Sequence, residues 1–315
     1  PDLIWVKARP TAHSHRLVDS VRGVHKVIYP DSANVEVADD AGGDVHTFTS
    51  TGFTTYGTTN NGNMNYSGRT FVAWNWKSAT VGSGGSGVNW AEQYNATAGI
   101  SIVKWSGNSS SQVAGNEQTI SHYNHGDTAM IIAKARTAHG AGDYMDTGGW
   151  IVWHKDLTSE DYFLTLNTSN AEDYWSSSYM KVISDITDTS IKVGNGADYN
   201  TGNPYALNFD GSGSWTGVED YIGYFFSEVA GYSKFGSYTA NGVADGPFVW
   251  CGFKPALVIV KRLSGTSNGW EMHDGVRPVY NPLPSERIFA NEGTTYSGYE
   301  QMDMVSNGFK VRDNG

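Results

Sequence analysis

The chain has 315 residues, 39% of them hydrophobic, which excludes a disordered chain, and no apolar run approaches the roughly 20 residues a membrane-spanning helix requires. With 32 acidic against 21 basic side chains its formal net charge is -11, so phosphate backbones repel it and nucleic acid is excluded as an expected partner. Short apolar runs separated by Gly, Asn, Ser and Thr predict many short strands joined by turns.

The first predicted element, Leu3-Ile4-Trp5-Val6-Lys7, is four apolar residues followed by lysine. It recurs as Met130-Ile131-Ile132-Ala133-Lys134 and as Leu257-Val258-Ile259-Val260-Lys261, with 127 residues between successive lysines. A continuous apolar run of this length suits a strand buried on both faces. A basic residue follows each lysine: Arg9, Arg136 and Arg262. Next comes a short apolar segment ending in a polar residue: Leu17-Val18-Asp19, then Trp150 to His154, then Trp270 to Asp274. Thr51-Gly52-Phe53 matches Asn307-Gly308-Phe309 as a hairpin turn, with Thr189-Ser190-Ile191 at that place in the middle copy. The aromatic run Phe71 to Trp76 is echoed by Tyr221 to Phe226, and Val103 to Asn108 by Gly236 to Asn241.

The order of these landmarks predicts an all-β chain of tandem antiparallel β-sandwich units, jelly-roll-like. The expected boundaries are a partial unit 1 at 1–79, a Gly/Ser-rich linker or loop at 80–98, a complete unit 2 at 99–232 and a partial unit 3 at 233–315. Unit 1 enters at its buried strand and unit 3 stops before its aromatic strand, so the chain reads as a window on a longer repeat array. The single cysteine, Cys251, lies between Trp250 and Gly252 and reads as a buried small hydrophobe.

Gly252-Phe253-Lys254-Pro255-Ala256 leading into Leu257 to Arg262 resembles a signature of repeated domains in virion proteins of marine bacteriophages, including cyanophages. The segment Trp270 to Asn291 fits the same resemblance, with Asp274, Arg277, Tyr280-Asn281-Pro282 and Ala290-Asn291. So do Asp220 to Phe225, Lys234 to Tyr238 and Ser306 to Val311. The resemblance covers nearly the whole chain outside 80–98. It implies a concanavalin A-like or laminin G-like fold in a tail-fibre or other virion-surface protein, and no defined activity.

No catalytic motif is found. Glucanases on such a fold need a strand reading Glu-x-Asp-x-x-Glu with carboxylates on one face; Glu36-x-x-Asp39 and Glu300-x-x-Asp303 have the wrong spacing. His13 and His15 share a strand face without an acidic or Cys partner in the sequence pattern. Ca2+ is the one cofactor with candidate ligands, in loops at Asp143/Asp146, Asp185/Asp188 and Asn208/Asp210. Trp90, Trp175 and Trp215 lie in Gly/Ser/Asn-rich segments, where an indole can stack on a sugar ring or seal an interface.

The expected function is a structural virion protein of a marine phage, on the virion surface and contributing to host attachment, not an enzyme. Its expected partners are itself, as a homo-oligomer with a trimer favoured, and other virion proteins, with a host surface glycan as a further one. The alternative is a lectin-like adhesin module, and a more remote one a polysaccharide-degrading enzyme.

Overall fold

A computed structural model describes residues 1–9, 12–38, 45–55, 64–109, 115–123, 126–137, 149–175, 181–195, 206–210, 219–265, 268–277, 287–294 and 302–312. The described residues form an all-β fold in which every strand pair is antiparallel. Unit 1 contributes β1 (Leu3–Ala8), β2 (Arg16–Asp19), β3 (Lys26–Val27), β4 (Val37–Ala38), β5 (Val45–Phe48), β6 (Phe53–Thr55) and β7 (Phe71–Trp76). Unit 2 contributes β8 (Thr80–Val81), β9 (Val88–Asn95), β10 (Ile100–Ser106), β11 (Gln118–Ser121), β12 (Thr128–Ala135), β13 (Ile151–His154), β14 (Tyr162–Thr165), β15 (Asp173–Tyr174), β16 (Ile183–Ser184), β17 (Ser190–Val193) and β18 (Asp220–Ser227). Unit 3 contributes β19 (Phe248–Trp250), β20 (Leu257–Val260), β21 (Glu271–Asp274), β22 (Ile288–Phe289), β23 (Met302–Val305) and β24 (Gly308–Val311).

The repeat holds at the level of register. Asp19 lies opposite Leu3, His154 opposite Met130 and Asp274 opposite Leu257. Lys7 and Lys134 also face equivalent residues of the aromatic strand, Val72 and Ile222. The order β2-β1-β7 in unit 1 is therefore the order β13-β12-β18 in unit 2. The hairpins β5-β6, β16-β17 and β23-β24 occupy the place predicted for the Gly-aromatic turn.

Residues 80–98 do not form a linker. They make β8 and β9, and β9 pairs with β10 at one edge of an eight-stranded sheet. The Gly/Ser run hides this strand in the sequence, although Trp90, Glu92 and Tyr94 alternate with period 2. The glycines serve packing: a Cβ at Gly85 would fall 2.3 Å from the Trp90 ring.

Units 1, 2 and 3 each have a cluster of their own, built around Ile4 and Val18, Ile131 and Tyr221, and Met304 and Phe309 respectively. A fourth cluster belongs to all three. It joins Trp5, Leu17 and Ile28 of unit 1, Ile132, Val152 and Leu164 of unit 2, and Trp270, Met272 and Ile288 of unit 3. Each lysine-ended strand thus shows alternate residues to its own core and to the common one. That explains why all six residues of β1 are buried.

Candidate functional site

The most organised polar chemistry lies where the three units meet. Lys7, Lys134 and Lys261 each leave the end of a buried strand and reach into a neighbouring unit. The Lys7 Nζ donates to the Gly293 carbonyl of unit 3 at 3.1 Å. Lys134 donates to the Ala33 carbonyl of unit 1 at 2.9 Å, and Lys261 to the Ser169 carbonyl of unit 2 at 2.9 Å. Unit 1 thus holds unit 3, unit 2 holds unit 1, and unit 3 holds unit 2. A head-to-tail contact that closes after three steps is a ring.

A second bond follows the same circuit. His15, Trp150 and Trp270 each stand one residue before the strand paired with the lysine strand. Trp150 Nε1 donates to the Tyr29 carbonyl at 2.8 Å, and Trp270 Nε1 to the Thr165 carbonyl at 2.9 Å. His15 Nε2 lies 2.9 Å from the Phe289 carbonyl. The carbonyl that each lysine binds lies four residues after the one its ring partner binds: 29 and 33, 165 and 169, 289 and 293. Between them Asp31, Asn167 and Asn291 accept the backbone N–H of His15, Trp150 and Trp270, at 3.1, 3.0 and 2.7 Å.

His15 matches the tryptophans because its surroundings fix its tautomer. Trp5 Nε1 donates to His15 Nδ1 at 2.8 Å, so the ring proton sits on Nε2 and points at Phe289. Burial, with the nearby Lys7 charge, lowers the His15 pKa to about 3, so the ring is neutral. Burial also lowers Lys7 to about 8, Lys134 to about 7 and Lys261 to about 8. A neutral amine keeps two N–H donors, and Lys7 and Lys261 each have two carbonyl acceptors, Ala8 with Gly293 and Ser169 with Asn268.

Replacing Trp150 by Phe removes the indole N–H together with part of a fully buried ring system. The Tyr29 carbonyl then loses the indole donor and keeps the Ser32 N–H, and the lost hydrogen bond together with the space left by the smaller ring should cost about 1–3 kcal/mol in a urea titration. Trp153→Phe is the control, because its ring N–H makes no hydrogen bond among the described residues and its change should be much smaller.

Beside the ring, Asp19 and Arg22 form a buried ion pair at 2.5 Å, both side chains fully buried. Asp274 and Arg277 repeat it with the same Nε–Oδ2 distance of 2.5 Å. In each, the arginine N–H also binds the aspartate, at 2.8 and 3.0 Å. Unit 2 has His154 and Leu157 at these places. Burial opposes the Arg22 charge, but Asp19, Tyr224 and Glu36 together hold its pKa above the ordinary arginine value.

Over residues 1–315 the chain matches the family described as a domain of unknown function (DUF7483). The chain belongs to that family. The match runs through all three units of this DUF7483 chain, while comparison with curated proteins and with solved structures gives no match. Within it, Asp274, Arg277 and Asn291, singled out in the sequence, are positions of the ring and its flanking pair.

The other singled-out residues fall elsewhere. Trp175 is 8% exposed and its ring is stacked on Phe163 at 3.9 Å, so it is a core residue with no face for a sugar. Trp90 is half-buried, packs against the unit 2 core and donates to the Ser121 carbonyl at 2.9 Å. Trp215, Asp143 and Asp146 lie outside the described residues. Asp185 and Asp188 are exposed, and Asp185 pairs with Lys192 at 2.5 Å. Among the described residues no three His, Cys, Asp or Glu side chains gather as a metal site. His122 is 2% exposed and stacks on Phe225 at 4.5 Å.

Two surface features escaped the sequence reading. Trp250 and Phe248 are 61% and 47% exposed, on the face of β19 opposite Val249. A shallow groove lies between the β5-β6 turn and the end of β7, lined by Ser50, Thr51, Phe53, Asn75, Trp76 and Lys77. The period-2 alternation Phe-Val-Trp signals the first; the second depends on segments more than 20 residues apart.

Proposed function

We propose that this chain is a structural component of a marine phage virion surface, in a tail fibre, tail or capsid decoration, and that it contributes to host attachment. The observation that supports this reading best is the closed ring, in which the lysine, tryptophan and histidine side chains are aimed at backbone carbonyls of neighbouring units. Such an arrangement serves rigidity, and with the resemblance to virion-protein repeats it favours a particle component. A homo-oligomer, a trimer by analogy with fibres, belongs to the same reading. Immunogold electron microscopy of native particles tests it. The expected result is label on the particle surface; protein found only in the lysate, with bare particles, would sink the proposal.

The groove at Trp76 favours the lectin-like reading as the second one. A half-buried indole beside Ser50, Thr51, Asn75 and Lys77 offers an apolar face with hydrogen-bonding groups at its rim, the usual make-up of a sugar site. Glycan-array binding that disappears in a folded Trp76→Ala variant is the result this reading expects. Equal binding by that variant would exclude the groove.

A further inference from the structure

Away from the ring and the groove, unit 1 brings two histidines together through two local departures from regular backbone. His25 lies in the turn between β2 and β3 with a φ of 62°. That is the left-handed region, which side chains adopt rarely, histidine and asparagine more readily than most. His46 is the second residue of β5, where the pairing with β6 slips between Val45 and Thr47. A slip of this kind is a bulge, and it re-aims a side chain from the direction the pleat would give it. The His25 N–H donates to the Val45 carbonyl at 3.4 Å and ties the two segments together. The two imidazole rings then stand 5.6 Å apart between centroids, inclined at 60°.

The polar groups around the rings leave this pair incomplete. His25 is half-buried, and its Nδ1 is shielded from solvent without a hydrogen-bond partner among the described residues. A shielded ring nitrogen with nothing to bind is unfavourable, and a ligand that takes its lone pair removes the cost. The backbone on both sides is anchored, because Val24 and Val45 both pack in the unit's own core. The cations nearest to His25 in the chain already have carboxylate partners. Arg22 pairs with Asp19 at 2.5 Å and with Glu36 at 3.2 Å, and Lys26 reaches Glu36 at 4.0 Å. That balance lowers the electrostatic cost of a further positive charge beside them.

We propose that His25 and His46 form a binding site for a late first-row divalent cation, Zn2+ or Cu2+, to which each supplies one imidazole nitrogen. Two imidazoles on one such ion, with metal–nitrogen bonds of about 2.0–2.1 Å, have their ring centroids roughly 5–6 Å apart. The 5.6 Å separation of these rings falls in that range. Imidazole nitrogen suits these ions, whereas Ca2+ and Mg2+ take oxygen ligands. With two protein ligands the ion keeps water at its other positions, so the affinity is modest and follows the order Cu2+ above Zn2+. The bound ion cross-links the β2 to β3 turn to the β5-β6 hairpin, two segments that otherwise share one long backbone hydrogen bond and their core packing. Because the folded chain alone presents both rings together, binding stabilises the fold.

The test titrates the whole chain, free of any histidine tag, with ZnCl2 and separately with CuCl2 in a calorimeter. A single equivalent should bind with micromolar affinity, and the thermal midpoint should rise with added Zn2+; CaCl2 should produce neither effect. His46→Thr changes an exposed residue to the type that follows it in β5, so the fold survives, and Zn2+ affinity should fall at least tenfold. His25→Asn keeps a side chain tolerant of the left-handed backbone and should give the same loss. The double variant should lose little more than either single one, as two ligands of one ion require. If His25→Asn does not fold, His46→Thr decides the question alone. A role of the pair in folding only would lower the metal-free midpoint of the variants and leave their metal affinity unchanged, and that result overturns the proposal. So does an equivalent of Zn2+ that both variants still bind, which would lie on other histidines, or a wild-type chain that binds Zn2+ no better than Ca2+.

Discussion

Arg22→Leu should destabilise the chain by about 3–5 kcal/mol, the cost of stripping one partner from a buried ion pair. Asp19 is at 0% exposure and would be left with the Tyr224 hydroxyl and the backbone N–H of residue 22 as its donors among the described residues. Arg22 also donates to the Leu17 and Lys26 carbonyls, each at 3.0 Å, so the β2 to β3 turn loses its cross-links. The middle unit shows that the pair is replaceable as a whole, since His154 and Leu157 fill its place. The double variant Asp19→Asn with Arg22→Leu should therefore recover at least about 1 kcal/mol of the loss, because the stranded charge is gone. Urea unfolding of the two single variants and the double measures this coupling. A loss under 1 kcal/mol in Arg22→Leu would contradict the account.

Stability should climb with pH well past neutrality, where most proteins have levelled off. An unfolded lysine holds its proton to about pH 10.4, whereas the folded Lys134 releases it at about 7 and Lys7 and Lys261 at about 8. Between these values the unfolded state binds more protons, so raising the pH favours the fold. Lys134 alone contributes roughly 3 kcal/mol between pH 7 and 10. The histidines act in the same direction at lower pH. His15 and His122 are held by burial at about 3 and about 4, below the unfolded value of about 6.5, so stability falls as pH drops through that window. Asp31 and Glu92, raised by burial, oppose this in the acid range, since their neutral forms are favoured in the fold. Above pH 10 the gain ends, because burial holds Tyr221 and Tyr224 protonated while unfolded tyrosines ionise. Chemical denaturation from pH 4 to 10 should show the rise, and Lys134→Met should flatten its alkaline half. A profile unchanged by that substitution would mean that Lys134 keeps an ordinary pKa.

The three lysines were legible because the same apolar-Lys pattern returns every 127 residues, and burial on both faces follows from an apolar run without alternation. The all-β class followed from short runs and turn residues. What those lysines bind was not legible, since their acceptors are backbone carbonyls, which any residue supplies. Ala33, Ser169 and Gly293 share no side chain, yet they occupy one place. His15 hid its kinship with Trp150 and Trp270 for the converse reason: the shared feature is a ring N–H, and in His15 it exists only because Trp5 occupies the other nitrogen. Trp175 stood among polar residues in sequence, but Phe163 comes from a different strand to cover it. The sequence by itself determined the repeat, its period and the strands that are buried, because these rest on local patterning. Only the tertiary structure decided that three units close head to tail around one core, because that depends on contacts between segments about a hundred or more residues apart.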